Sequence, residues 1–192
     1  MSELQARGYI VTNSIVFLRD NVPKDEWKRI TAAWSPELQQ LVGANVKPAD
    51  WYPVSQVTEI NRTIVASLGK GEDELARQAL HKCGKFIAAE ATNTFLKLFL
   101  KLLTPSLLIK KLPDVFKRDF SQGRLTAESK GQVLTCTCYD LPGYEHIIVT
   151  ASGFIATAME NMGKTVENIK VNKWSLQTPY VDGASFDLTW RD

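Results

Sequence analysis

The stretch that decides the fold is HIIVTASGFIATAMENMG, residues 146–163. Its apolar side chains recur at intervals of three and four residues: Ile147, Ile148, Ala151, Phe154, Ile155, Ala158, Met159 and Met162. This spacing is typical of an amphipathic helix that lies on a sheet. Within it, Ser152 and Gly153 are small enough to allow close packing on that sheet. We predict a helix that ends at Gly163, because glycine commonly follows the last turn of a helix.

Two pairs of predicted strands flank this helix. Before it, residues 123–129 and 132–139 alternate in polarity around a plausible tight turn at Lys130-Gly131. After it come residues 166–176 and 184–190, and the last run alternates Ala184, Phe186, Leu188 and Trp190 with polar neighbours. The second half of the chain therefore has the predicted order β-β-α-β-β.

The first half of the chain is predicted to be helical. Residues 54–68 carry apolar side chains at a helical period, and residues 72–103 form one long helical stretch. Residues 107–120 predict one or two short helices, whereas residues 46–53 predict a loop punctuated by prolines. No repeat or linker divides the chain. We predict one domain over residues 1–192, with a helical part at about 8–120 and a strand-rich part at about 121–192.

Composition excludes several classes of protein. The chain has 192 residues, with 23 Lys and Arg against 21 Asp and Glu, whereas a dedicated nucleic-acid binder normally shows a concentrated basic excess. The first residues, MSELQARGYIV, lack the features of a secretory signal. The longest uncharged apolar run, 146–159, is too short to span a bilayer. We expect no nucleic-acid partner and no integral membrane segment.

The cysteines and histidines give no catalytic or metal signature. Cys83, Cys136 and Cys138 are an odd and sparse set, and the last two lie too close along one strand for a normal disulfide. A reducing, cytoplasmic compartment fits this set best. The two histidines are His81 and His146, and the chain has no HExxH, spaced CxxC pair, GxSxG or phosphate-loop pattern. We therefore expect no catalytic residue, no metal and no cofactor, and a protein that is not an enzyme.

Several segments resemble a known group of proteins. They are Phe17-Leu18-Arg19, Trp27, Trp51-Tyr52-Pro53, Phe186-Asp187-Leu188-Thr189-Trp190, and above all LFLKLLTPSLLIKKLPDVFKRDFSQGRL at 98–125. In order and spacing, over about residues 8–191, they resemble a large uncharacterised bacterial family that is expanded in myxobacteria. That family is distantly similar to 4-vinyl-reductase domains, haem–nitric-oxide-binding domains and the small subunits of the TRAPP tethering complex.

The resemblance implies a fold and a class of function. The fold is α+β, with the helical N-terminal half packed on a four-stranded antiparallel sheet that one helix crosses. The 4-vinyl-reductase group binds small apolar or aromatic molecules and signals to a partner, and TRAPP-like relatives hold an acyl chain and dimerise. The resemblance thus implies a sensor or binding module, with a homodimer or another protein as partner.

The sequence departs from the cofactor-binding relatives. Haem-binding relatives carry a proximal histidine on the long helix and a Tyr-x-Ser-x-Arg clamp, but residues 104–115 contain no histidine and the clamp motif is absent. Zinc-carrying relatives place cysteines near the last two strands, and residues 174–186 contain none. We therefore expect neither haem of that type nor a structural zinc.

Three hypotheses follow. The first is a cytoplasmic sensor that binds a small hydrophobic ligand through aromatic residues: Trp51, Tyr52, Phe95, Phe99 and Phe116. The second is a ligand-free protein–protein scaffold, with the basic and apolar stretch 97–118 as its partner or dimer surface. The third, ranked well below these, is a haem protein that uses His81. A cavity between helices and sheet favours the sensor, and a filled core favours the scaffold.

Overall fold

The structure, a computed structural model, describes residues 3–91 and 103–192. Within these ranges the chain forms seven helices. They are α1 (Gly8–Asn21), α2 (Lys24–Ala33), α3 (Pro36–Leu41), α4 (Val54–Leu68), α5 (Asp73–Ala91), α6 (Pro105–Asp119) and α7 (Ile147–Asn161). Thr104 and Ser35 cap α6 and α3, each with a side-chain oxygen that accepts a backbone N–H of the first turn.

The strands of the described ranges form two antiparallel sheets. In the small sheet, β1 (Gln5–Arg7) pairs with β2 (Trp51–Pro53). The large sheet has the order β3-β4-β6-β5, with bounds Arg124–Lys130, Val133–Tyr139, Ala184–Arg191 and Thr165–Asn172 respectively. Mixed helix and sheet was expected, and the structure confirms it.

The core lies between the large sheet and the helices. On β4, Leu134, Cys136 and Cys138 are buried while their neighbours are partly or fully exposed, and β6 alternates in the same way. This alternation gives the sheet one apolar face, which α7 covers. Helix α5 then contacts the opposite side of α7, so α7 is buried on most of its surface.

Helices α5 and α7 cross at two glycines. A Cβ atom added to Gly84 would lie 1.9 Å from the carbonyl oxygen of Thr150, and one added to Gly153 would lie 2.0 Å from that of His81. Each glycine therefore lets the backbone of one helix contact the backbone of the other. The expectation that Gly153 packs on the sheet is wrong, because its missing side chain faces α5.

The small sheet differs from the sequence-based expectation. Residues 46–53 were predicted as loop, but Trp51–Pro53 form β2, and Ala6 of β1 also bridges to Phe120 at the end of α6. Strands of three residues carry too little alternation to be visible in a sequence. Of the predicted stretch 107–120, residues 107–119 belong to one helix that continues through Pro113, and Phe120 follows its end. Strand β5 ends at Asn172 rather than at 176. The predicted stretch 72–103 is helical as far as Ala91, and residues 92–102 lie outside the described residues.

His146 fastens a loop to the start of α7. Its backbone has φ +66°, in the left-handed region, and its N–H donates to the Pro179 carbonyl at 2.8 Å. Its ring Nδ1 accepts a hydrogen bond from Trp174 Nε1 at 3.3 Å. Burial lowers the pKa of the His146 imidazole to about 4. The neutral ring is thus part of the contact between α7 and the loop after β5.

We predict that Gly84→Ala destabilises the protein by about 2 kcal/mol, because the new methyl group forces α5 and α7 apart. Alanine in place of a helical glycine otherwise stabilises a protein by up to about 1 kcal/mol. A loss of stability in Gly84→Ala would therefore indicate the close crossing. Urea unfolding of the variant measures the effect. Lys82→Ala, an exposed change on the same turn of α5, is the control and should shift stability by less than about 0.5 kcal/mol. A stabilised Gly84→Ala protein would contradict the close crossing.

We predict that acid weakens the fold partly through His146. The native pKa lies below the unfolded value of about 6.5, so the unfolded chain binds the proton first and stability falls as the pH drops from about 6.5 towards about 4. Urea unfolding at about pH 7 and about pH 5 should show an extra loss of about 1–2 kcal/mol in wild type relative to His146→Asn. Asparagine tolerates the left-handed backbone. Equal losses in the two proteins would contradict this role.

Candidate functional site

A cavity of about 80 Å3 lies among α1, α5, α6 and α7. Its wall is mostly carbon and includes Ile10, Ile87, Leu112, Phe116, Phe154 and Ile155. Each of these helices carries its apolar stripe towards the same interior volume, which is why the wall is apolar. A carbon-lined cavity is a binding volume for small apolar molecules, since its wall offers few polar partners to water.

The crossing of α5 and α7 forms one side of the cavity. Gly84 lines it, together with Thr150 and Ala151 of α7. Thr150 directs its hydroxyl to the carbonyls of His146 and Ile147, at 3.1 and 3.2 Å, so that its polar atom is satisfied inside its own helix. The small side chains at the crossing leave the volume that larger residues would fill.

Aromatic rings form another side. The ring centres of Phe116 and Phe120 are 4.7 Å apart, and those of Phe120 and Tyr144 are 5.4 Å apart. Phe116 belongs to α6, whereas Tyr144 comes just before α7, so the stack connects these helices across the end of the cavity. Tilted ring pairs at these distances add to the packing energy of the wall.

One charged group belongs to the described part of the apolar wall. The Asp119 carboxylate is 4% exposed and lines the cavity at the end of α6. It accepts a 2.7 Å hydrogen bond from the Tyr9 hydroxyl of α1, and Arg118 donates to its two oxygens at 2.8 and 2.9 Å. Burial, and then the charge of Asp119, raises the pKa of Tyr9 far above its ordinary value, so the phenol stays protonated. Tyr9 and Asp119 thus join α1 to α6 beside the cavity.

The structure places the five predicted site residues in different surroundings. Phe116 is buried and lies in the cavity wall. Trp51 is 36% exposed on β2, where the Arg7 guanidinium stacks 3.8 Å from its ring centre. Tyr52 is half-buried, and its hydroxyl accepts the Lys47 backbone N–H at 3.2 Å. Neither Trp51 nor Tyr52 is among the described lining residues, and Phe95 and Phe99 lie outside the described residues.

Sequence reasoning did not single out Tyr9 and Asp119. Their contact joins positions 110 residues apart, and neither position belongs to a recognisable motif. Phe154 and Ile155 were predicted as the apolar face of a helix on the sheet, without a hint that they also face a cavity. No local signal in the sequence could have identified Asp119, because it follows Lys117 and Arg118 in a run that is typical of an exposed helix end.

Neither histidine lines the cavity. His81 belongs to α5, and its Nδ1 lies 3.0 Å from the Ser152 hydroxyl. It faces a separate polar groove beside Arg77, Lys85 and Glu160. Burial, and then the charges of Lys85 and Arg77, lowers the pKa of His81 to about 4, which keeps the ring neutral near pH 7.

The surroundings of the cysteines indicate a structural role. Burial raises the pKa of the Cys83 and Cys138 thiols to about 12, so they remain protonated and unreactive. Among the described residues, no three His, Cys, Asp or Glu side chains come together as a metal site requires.

The lengths and the apolar character of the described helices bear on whether one could cross a membrane. Within residues 3–91 and 103–192, none combines the length and the apolar character needed to cross a bilayer.

Comparison with known proteins gives matches of structure. No family model and no curated protein matches the chain. The chain is similar to an Fe(II) unliganded H-NOX protein from K. algicida, at 13% identity and a TM-score of 0.71, over 97% of each chain. It is also similar to a mutant of an H-NOX protein from S. oneidensis in the Fe(II) ligation state, at 12% identity and a TM-score of 0.67, over 97% of this chain and 96% of that one.

A further match is an oxygen-binding H-NOX domain related to soluble guanylate cyclases, at 11% identity and a TM-score of 0.59. It covers 97% of this chain and 95% of that one. At these identities the likeness shows the fold alone. The resemblance to haem–nitric-oxide-binding domains is thus confirmed for the fold, and the matches do not show the resemblance to 4-vinyl-reductase or TRAPP proteins.

The residues of the cavity do not fit a haem. No histidine lines its described wall, and the hydroxyl of Tyr9, another type of haem ligand, is bound to Asp119. A tetrapyrrole is many times larger than this volume of about 80 Å3. The H-NOX-like fold here therefore surrounds a much smaller space.

We predict that haemin does not form a stoichiometric complex with the protein. Titration should give the absorbance of free haemin, and His81→Ala should give the same spectrum because His81 does not face the cavity. Absorption spectroscopy in the Soret region is the measurement. A saturable Soret band that disappears in His81→Ala would contradict this interpretation of the cavity and restore the haem hypothesis.

Proposed function

We propose that the protein is a non-enzymatic, sensor-like domain that binds a small hydrophobic ligand in the cavity among α1, α5, α6 and α7. The observation that carries this proposal is the carbon-lined volume itself, which is lined by helices from both halves of the chain. A core that served packing alone would be filled, because protein interiors leave few voids larger than a water molecule.

The position of α6 supports a signalling role. Its inner face supplies Leu112 and Phe116 to the cavity, while its outer face exposes Leu107, at 44%, beside Lys110 and Lys111. A ligand that binds one position of α6 more tightly than another shifts the helix towards that position. The outer face of α6 then differs between the free and the ligand-bound protein, and a partner protein can bind these two states with different affinities.

We also propose the setting in which this happens. The partner is a protein, either a second copy of this chain or another protein. The near balance of basic and acidic residues, a net charge of +2, argues against nucleic acid as the partner. Residues 1–192 act as one unit in the cytoplasm. The three buried, unpaired thiols support a reducing compartment.

The test is a variant that fills the cavity. Ala151 lines it, so Ala151→Leu should occupy the ligand volume and weaken binding of methylcyclopentane by at least about tenfold, the equivalent of about 1.4 kcal/mol. Chemical-shift changes of the amides during titration measure the affinity.

The matched control is Ala158→Leu, two turns later on the same helix. Ala158 is also half-buried but does not belong to the described cavity wall, so this variant should keep wild-type affinity. Equal binding in wild type and Ala151→Leu, or a wild type that binds neither methylcyclopentane nor any other small apolar probe, would refute the proposed site.

The scaffold remains the second candidate, because of the apolar and basic outer face of α6. Of its predicted surface 97–118, residues 97–102 lie outside the described residues. In that case wild type binds no apolar probe, and Leu107→Ser abolishes dimerisation measured by analytical ultracentrifugation. If the cavity is the functional site, Leu107→Ser leaves the binding of methylcyclopentane unchanged.

A further inference from the structure

We infer that the cavity selects a small apolar molecule that carries a hydroxyl group, and that this hydroxyl donates a hydrogen bond to Asp119. The inference rests on the proposed function and narrows it from any hydrophobic ligand to one chemical class. It starts from a contrast in the cavity wall, which is almost entirely carbon but includes a buried carboxylate.

The carboxylate has room for one more donor. Two carboxylate oxygens provide about four acceptor positions. Among the described residues, three donors reach them: the Tyr9 hydroxyl and Arg118 Nη2 at Oδ2, and Arg118 Nε at Oδ1. Oδ1 therefore retains an acceptor position, in a side chain that is 4% exposed and lines the cavity.

The surrounding charges favour a neutral donor. The Arg118 guanidinium donates hydrogen bonds to both oxygens of Asp119 and balances its charge, so no second cation is required there. The hydroxyl of Tyr9 is already donated to Asp119, and that of Thr150 to backbone carbonyls. A ligand that only accepts hydrogen bonds therefore meets a carboxylate oxygen without a matching donor, and its buried polar atom is left unpaired.

Three probes with the same number of non-hydrogen atoms distinguish a ligand that donates a hydrogen bond from one that only accepts and from one that is apolar. Cyclopentanol has a donor, cyclopentanone has an acceptor alone, and methylcyclopentane has no polar atom. We expect wild type to bind cyclopentanol about tenfold more tightly than cyclopentanone, which is the size of a hydrogen bond to a charged group. Amide chemical shifts during titration give the three dissociation constants.

Two outcomes overturn the inference in different ways. If cyclopentanol and cyclopentanone bind equally while methylcyclopentane binds, the hydroxyl assignment is wrong and the proposed function stands. If none of the three probes binds, the proposed function and the hydroxyl assignment fail together.

The variants test the assigned atom. Asp119→Asn offers an amide donor beside the acceptor, so the preference for the alcohol over the ketone should fall to below about threefold. Tyr9→Phe removes a competing donor and leaves the carboxylate, so the preference should stay or increase even where Asp119→Asn fails to fold. Loss of the preference in Tyr9→Phe would overturn the assignment to Asp119.

Discussion

The crossing of α5 and α7 is the constraint on which the rest of the structure depends. At Gly84 and Gly153 each helix passes within contact distance of the other's backbone. This approach holds α7 against α5 on one side while the large sheet covers the other. It also places Gly84, Thr150 and Ala151 along one side of the cavity, so the packing of the core and the shape of the site have the same origin.

Periodic features of the chain were predictable, and long-range contacts were not. The apolar spacing of 147–162 predicts α7, and the alternation of Ala184, Phe186, Leu188 and Trp190 predicts the buried face of β6. The strands β1 and β2 have three residues each, too few for a period. The pairing of Tyr9 with Asp119 and the backbone contact at Gly84 depend on how distant segments meet, and no local pattern encodes that.

The same difference between local patterns and long-range contacts applies to the residues of the candidate site. An aromatic stripe in the sequence pointed to Phe116, which lies in the cavity wall. Trp51 and Tyr52 are aromatic for another reason, since they hold β2 against Arg7 and the loop at Lys47. The fold is shared with H-NOX domains, but the described wall of the cavity here is mostly carbon, with one hydrogen-bonded acid and no histidine. The fold therefore does not determine which ligand binds, because the ligand depends on the side chains that line the cavity.

The central claim is that the core contains an apolar space open to small molecules, and a crystal structure of the protein under xenon pressure tests it most directly. Xenon enters apolar cavities without needing polar partners. The account predicts a xenon atom among Ile87, Phe116 and Phe154, beside the crossing of α5 and α7. Side chains that close this space, with no xenon bound there, would contradict the account.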